Sequence, residues 1–184
     1  MLNKTITTHT PQRITPDILK LCAKLSPSTS PQYIKVRVFS HCQPNECFNN
    51  VKRHIIRHGG CIQHGWAIWL WPKVMLDAEF HAVWLDNMGN YLDISPHFPV
   101  TNKILFLPDN NRVFEGRRID NVRRALKNDP IVLELIKICE EMVKIQVNNV
   151  VPLMGKSMIM GDEVDRYKYL QTRAFKIREQ LDRR

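Results

Sequence analysis

Between Gly59-Gly60 and Ser95-Pro96 the chain alternates between strand-like runs and short turns. Gly65 to Trp71 is the kind of aromatic and aliphatic run that strands buried on both faces carry, and Pro72 closes it. Glu79 to Asp86 is a second run, and Tyr91 to Ile94 a third, closed by Ser95-Pro96. Tyr33 to Phe39 alternates upstream, and Ile104 to Leu107 adds a further strand downstream. Strands joined by turns this short pair as antiparallel neighbours, and their apolar faces need a cover. Residues 47 to 58 supply one, because Phe48, Val51, Ile55 and His58 recur at helical spacing. Pro44 resets the backbone before this helix and Gly59-Gly60 ends it. The expected architecture is α+β: an antiparallel sheet over residues 33 to 107, the helix opened by Cys47 packed on one face, and extra helices at the N- and C-terminal ends.

The flanking segments divide the chain further. Residues 1 to 14 are polar and aperiodic and read as a loose N-terminus, and residues 15 to 161 as a single α+β domain. Thr15-Pro16-Asp17 opens a helix with Ile18, Leu21, Cys22 and Leu25 on one stripe. Asn121 to Lys127 is expected to be a helix, and Pro130 opens another bearing Val132, Leu135, Ile136 and Cys139. Residues 148 to 160 are apolar but irregular and receive no assignment. Residues 162 to 184 read as a basic amphipathic helix whose seam is Tyr167, Leu170, Ala174, Ile177 and Leu181. So short a seam fits docking on the chain's own domain better than a dimer zipper.

Composition bounds what the chain can do. With 184 residues, 43% of them hydrophobic and 24% charged, it can bury one core, and it has no apolar run of the roughly 20 residues that a membrane span needs. The first residues lack the apolar core of a signal peptide, so the expected location is cytoplasmic, or outside after export without a cleavable signal. Five cysteines, an odd count, point to reduced thiols rather than a disulfide framework. The net charge is +9, spread over both halves, and its densest stretch is Arg117, Arg118, Arg123, Arg124 and Lys127. That stretch reads as a solvated helix face. Its alternative is a nucleic-acid site, although no aromatic interleaves the arginines and no base-reading motif is present.

Cys47 at a helix start, His81 in one strand and Asp93 in the next follow the order of a thiol nucleophile, its base and the group that orients the base. A helix N-terminus favours a thiolate and offers backbone N–H groups to an oxyanion. The turn between the strands tests the pairing. Asp86-Asn87-Met88-Gly89-Asn90 places Gly at the third position of a three-residue loop, the signature of a type I turn with a left-handed bulge residue. That register sets Asp86 opposite Asn90, Val83 opposite Asp93 and His81 opposite Ser95. His81 and Asp93 then share a face as diagonal neighbours, about 7–8 Å apart along the backbone. A two- or four-residue loop would put them on opposite faces.

A Cys opening a helix, a His on a later strand and a polar residue on the adjacent strand resemble the papain-like clan in its broad sense, most nearly its transglutaminase-like and NlpC-type cores. The resemblance covers residues 36 to 96 through Cys47, His81 and Asp93. It implies acyl transfer from a peptide or protein amide, by hydrolysis, deamidation or transamidation, with no cofactor. In that clan a Gln upstream of the nucleophile completes the oxyanion hole. Gln43 is the nearest match, only four residues ahead, and Asn45 competes with it; the Gly-Ser-Cys-Trp signature of true papains is absent. Trp66 and Trp84 are candidates to line the substrate groove.

A rival reading uses the tract Cys42, Cys47, His54, His58, Cys61 and His64, in which His54 and His58 stand one helical turn apart, as zinc ligands can. It contains no Cys-x-x-Cys knuckle. His54 and His58 are instead expected to face solvent or the rim of the site.

Overall fold

The computed structural model describes residues 8–148, 150–153, 156–159 and 161–184. The chain runs α1 (Pro16–Leu25), β1 (Gln32–Val36), α2 (Cys47–His58), β2 (Cys61–Trp71), β3 (Met75–Leu85), β4 (Tyr91–Asp93) and β5 (Lys103–Pro108). It continues through β6 (Val122–Ala125), α3 (Pro130–Asn148), β7 (Val150–Leu153), β8 (Lys156–Ile159) and α4 (Glu163–Asp182). The class is α+β, as expected. The sheet is not purely antiparallel: β1 and β4 run parallel, with Lys35 opposite Leu92 and Val36 opposite Asp93. A whole helix and a long hairpin separate these two strands, and such a connection permits a parallel neighbour.

The sheet also closes on itself. Its order is β2-β5-β1-β4-β3, and β3 pairs back along the full length of β2, from Cys61 opposite Leu85 to Trp71 opposite Met75. Closure requires β5 to lie tight against β2. Gly65 allows it, because a Cβ there would collide with the Leu107 carbonyl oxygen and the Phe106 ring. Ile34, Ala67, Val83, Ile104 and Phe106 form a cluster made of strand residues alone, which fills the inside. Outside, α1 covers Trp66, Ile68, Ala78 and Phe80 through Ile18, Leu21 and Cys22. Helix α2 covers Ala82 and Ile94 through Val51, with Phe48 and Ile55 beside it.

Residues 121 to 127 are not a helix. Val122–Ala125 form β6, antiparallel to Met75–Ala78 at the far end of β3. Two of the arginines expected on a solvated helix are tied to carboxylates. Arg123 lies 3.1 Å from Asp120 and 3.8 Å from Asp77, and Arg124 lies 3.2 Å from Asp17. The hydrogen-bond edge left open by β3 and these ion pairs outweigh a weak helical pattern.

A second core lies beyond the hairpin's closed end. There α3 and α4 bury Leu135, Cys139, Leu170, Ala174, Ile177 and Leu181 with Trp71 and Met75. The seam of α4 thus packs within the chain. The unassigned segment contains the hairpin β7–β8. Of residues 1–14, the first seven lie outside the described residues, and His9 pairs with Leu70 through two backbone hydrogen bonds of 2.8 and 3.0 Å. No helix is long and apolar enough to cross a membrane among the described residues.

Candidate active site

Cys47 is the first residue of α2. The helix start is uncapped: Glu46, at the N-cap position, makes no side-chain cap bond, and its carboxylate is turned to Arg53 at 3.2 Å. The amides of the first turn therefore stay available beside the thiol. Asn45 carries φ +61°, a left-handed conformation that lets the loop turn sharply into the helix. Buried Asn50 fixes this loop. Its Oδ1 accepts from the Gln43 N–H at 2.9 Å, and its Nδ2 donates to the Gln43 carbonyl at 2.8 Å and to Ser95 Oγ at 3.2 Å. One amide thus joins the approach to Cys47 to the segment after β4.

The second half of the site comes from the β3–β4 hairpin. Its register is the one the turn chemistry implies: Trp84 faces Leu92, Leu85 faces Tyr91, and the Asp86 N–H donates to the Asn90 carbonyl at 3.0 Å. Gly89 has φ +84°, the bulge conformation. His81 and Asp93 accordingly meet, with Nε2 3.1 Å from Oδ2, and both are almost wholly buried. Cys47 lies close enough to the same ring to act on its charge, and both residues line one cavity. Because Nε2 serves Asp93, Nδ1 is the nitrogen left for the thiol.

Burial opposes a charge on His81, yet Asp93 and Cys47 outweigh it and raise its pKa well above the usual imidazole value. Burial likewise opposes the charge on Asp93, and His81 and His97 overcome it, holding the carboxyl well below the usual range. Asp93 Oδ1 accepts from the Ser95 N–H at 2.9 Å, while Oδ2 is shared with His97 Nε2 at 2.5 Å.

A cavity of about 500 Å³ opens on this cluster, and Cys47, His81, His97, Ser95 and Asn45 are among its walls. Phe48 and Phe114, stacked 3.9 Å apart, form an apolar wall, and Glu79 and Arg118 bring charge. Of the two oxyanion candidates, Asn45 lines the cavity; Gln43 does not, and its backbone is committed to Asn50. Neither proposed groove tryptophan is there. Trp66 is core, its Nε1 donating to Asp109 at 3.1 Å, and Trp84 donates to the Gly59 carbonyl at 3.0 Å at the C-terminal end of α2. Sequence reasoning missed His97, Asn50 and Ser95. His97 had a faint signal, standing four residues after Asp93 just past Ser95-Pro96. Asn50 had none beyond being a polar residue beside the apolar stripe of α2.

The Cys/His tract does not assemble. Among the described residues, the group whose ligand atoms converge is His81, Asp93 and His97, all within 4.8 Å of one another. His54, expected near solvent, is 1% exposed. Its ring stacks on His58 at 4.3 Å and meets Phe39 at a tilt with centroids 4.6 Å apart, its Nδ1 lies 3.3 Å from His41 Nε2, and Trp84 presses edge-on at 4.5 Å. The chain turns this side of α2 inward because Phe39 and Trp84 offer it an aromatic slot. No protein-family model, curated protein or solved structure matches the chain.

Proposed function

We propose that the chain is a cysteine-dependent acyl-transfer enzyme acting on a peptide or protein amide, as a peptidase, amidase, deamidase or transamidase. The observation that carries this reading is the buried His81 ring, bonded through Nε2 to Asp93 and sharing the wall of an open cavity with Cys47 at the start of α2. The succession of helix, strand and adjacent strand supports the likeness to papain-like, transglutaminase-like and NlpC-type cores.

In this mechanism His81 takes the Cys47 proton, and Asp93 holds the ring's tautomer and stabilises the imidazolium. The Cys47 sulfur attacks the amide carbonyl, and the oxyanion draws on first-turn amides of α2 and on Asn45. The C–N bond then breaks, His81 returns the proton to the departing amine, and a thioester remains on Cys47. Water or an acceptor amine, deprotonated by His81, attacks that thioester. The new acyl bond forms, the C–S bond breaks, and the thiol is restored.

The test is acylation by an activated acyl donor, p-nitrophenyl acetate, followed by intact-protein and peptide mass spectrometry. The reading predicts a nitrophenol burst and a transient acetyl group on Cys47, both lost in Cys47→Ser and strongly slowed in His81→Ala. Acetyl groups found on Cys61 or on lysines, with Cys47 unmodified, would overturn it.

A further inference from the structure

We propose that His81, Asp93 and His97 also form a binding site for a zinc-like divalent cation, and that this ion and the Cys47 chemistry exclude each other; only the second clause rests on the triad reading. Nε2 of His81, Oδ2 of Asp93 and Nε2 of His97 converge within 4.8 Å. An ion with bonds of about 2.0–2.2 Å spaces tetrahedral ligand atoms about 3.3–3.6 Å apart. His81 and Asp93, at 3.1 Å, nearly have that spacing, and His97, at 2.5 Å from the carboxylate, would withdraw by about 1 Å.

The chemistry of the donors fits. Two imidazoles and a carboxylate suit a borderline-soft ion and leave it a further position for water or substrate. The carboxylate is already oriented from behind, because its other oxygen accepts the Ser95 N–H at 2.9 Å, an outer support of the kind that metal ligands have. There is also a way in, since His81 and His97 both line the cavity. Glu79 and Arg118 stand at the same cavity, so its charges do not repel a cation as a body.

The ion would silence the thiol through the tautomer of His81. With no ion bound, the His81 and His97 Nε2–H groups both donate to Asp93. Bound to an ion through Nε2, a neutral imidazole carries its proton on Nδ1. In His81 that is the nitrogen Asp93 leaves free and the triad reading needs as base, so no lone pair remains there to accept the thiol proton. The displaced Nε2 protons move to Nδ1 or leave to solvent, and metal binding is therefore coupled to proton release.

The experiment titrates Zn²⁺ into the full-length protein by calorimetry, in wild type, His97→Gln and Cys47→Ser. The proposal predicts one ion per chain, binding weakened at least about 10–100-fold in His97→Gln, the cost of losing even an outer support, and little change in Cys47→Ser. A Co²⁺ absorption spectrum of the wild type guards against a misfolded variant. It should show a nitrogen- and oxygen-ligated ion without a thiolate charge-transfer band. With Zn²⁺ saturating, iodoacetamide labelling of Cys47 should slow at least tenfold, in proportion to site occupancy. Absent saturable binding, binding indifferent to His97→Gln, or a thiolate band would each overturn the metal site, whatever the acyl-transfer assay shows. Labelling unchanged at full occupancy would overturn the mutual exclusion alone.

Discussion

Two histidine clusters flank the same helix and behave in opposite ways. At the start of α2, His81 is buried against a carboxylate, and its imidazolium is favoured. In the middle of α2, His54 is equally buried but has only rings around it: His41, His58, Phe39 and Trp84. Its Nε2 has no hydrogen-bond partner among the described residues. Burial, then His58 and His41, push its pKa down to about 4. Burial alone therefore decides nothing about an imidazole. What matters is whether a fixed anion is sealed in beside it, and Asp93 supplies one.

The largest expected effect comes from removing that anion's charge. Asp93→Asn keeps the size of the side chain, but it favours the wrong His81 tautomer and withdraws the charge that stabilises imidazolium. On the proposed acyl-transfer reading, activity should fall by about 10³–10⁴-fold while the protein still folds. Steady-state kinetics beside a circular dichroism melt would check it. A stable, fully active Asp93→Asn protein would reduce the site to a Cys–His dyad.

The second effect reads the other cluster. His54 has a folded pKa of about 4 against an ordinary 6.5, so the unfolded chain binds the extra proton first as pH falls. Stability present above pH 6.5 should decline through that window to pH 4, by up to about 3 kcal/mol. His81 has the opposite sign. Its raised pKa contributes stability below 6.5 that is lost as pH rises through the folded value. Urea denaturation of wild type and His54→Phe from pH 4 to 8 would separate them, since the variant should lose most of the acid slope and none of the alkaline one. An unchanged acid slope would show that His54 is not held neutral.

A smaller effect concerns the turn that brings His81 to Asp93. Gly89 has open space around it but a φ of +84°, so Gly89→Val should cost about 1–2 kcal/mol from backbone strain alone. Any loss of activity beyond the loss of stability would come from a slipped register. A variant of wild-type stability would mean that the turn does not hold the pairing.

These differences also mark how far the sequence could be read. Cys47, His81 and Asp93 were legible because each depends on local chemistry: a helix start after Pro44, and a turn whose Gly89 sets the register. Closure of the sheet was not legible, because it depends on β5 reaching β2 past Gly65, a contact between distant segments. Strand β6 was hidden for the same reason, as it depends on the free edge of β3 and on the distant carboxylates of Asp77 and Asp17. His97 follows Pro96 and obeys no periodicity. His54 carried a correct spacing but the wrong side, because the slot formed by Phe39 and Trp84 joins segments far apart in sequence.

The central claim is that His81, through Asp93, activates Cys47. The most direct measurement is the rate of iodoacetamide labelling at each cysteine at pH 7, resolved by mass spectrometry. Cys61 is exposed and Cys47 only partly so, so accessibility alone would make Cys61 react first. The account predicts that Cys47 leads all five cysteines, and that His81→Ala slows it about tenfold or more while Cys61 is unaffected. Faster labelling at Cys61, or a Cys47 rate indifferent to His81→Ala, would contradict it.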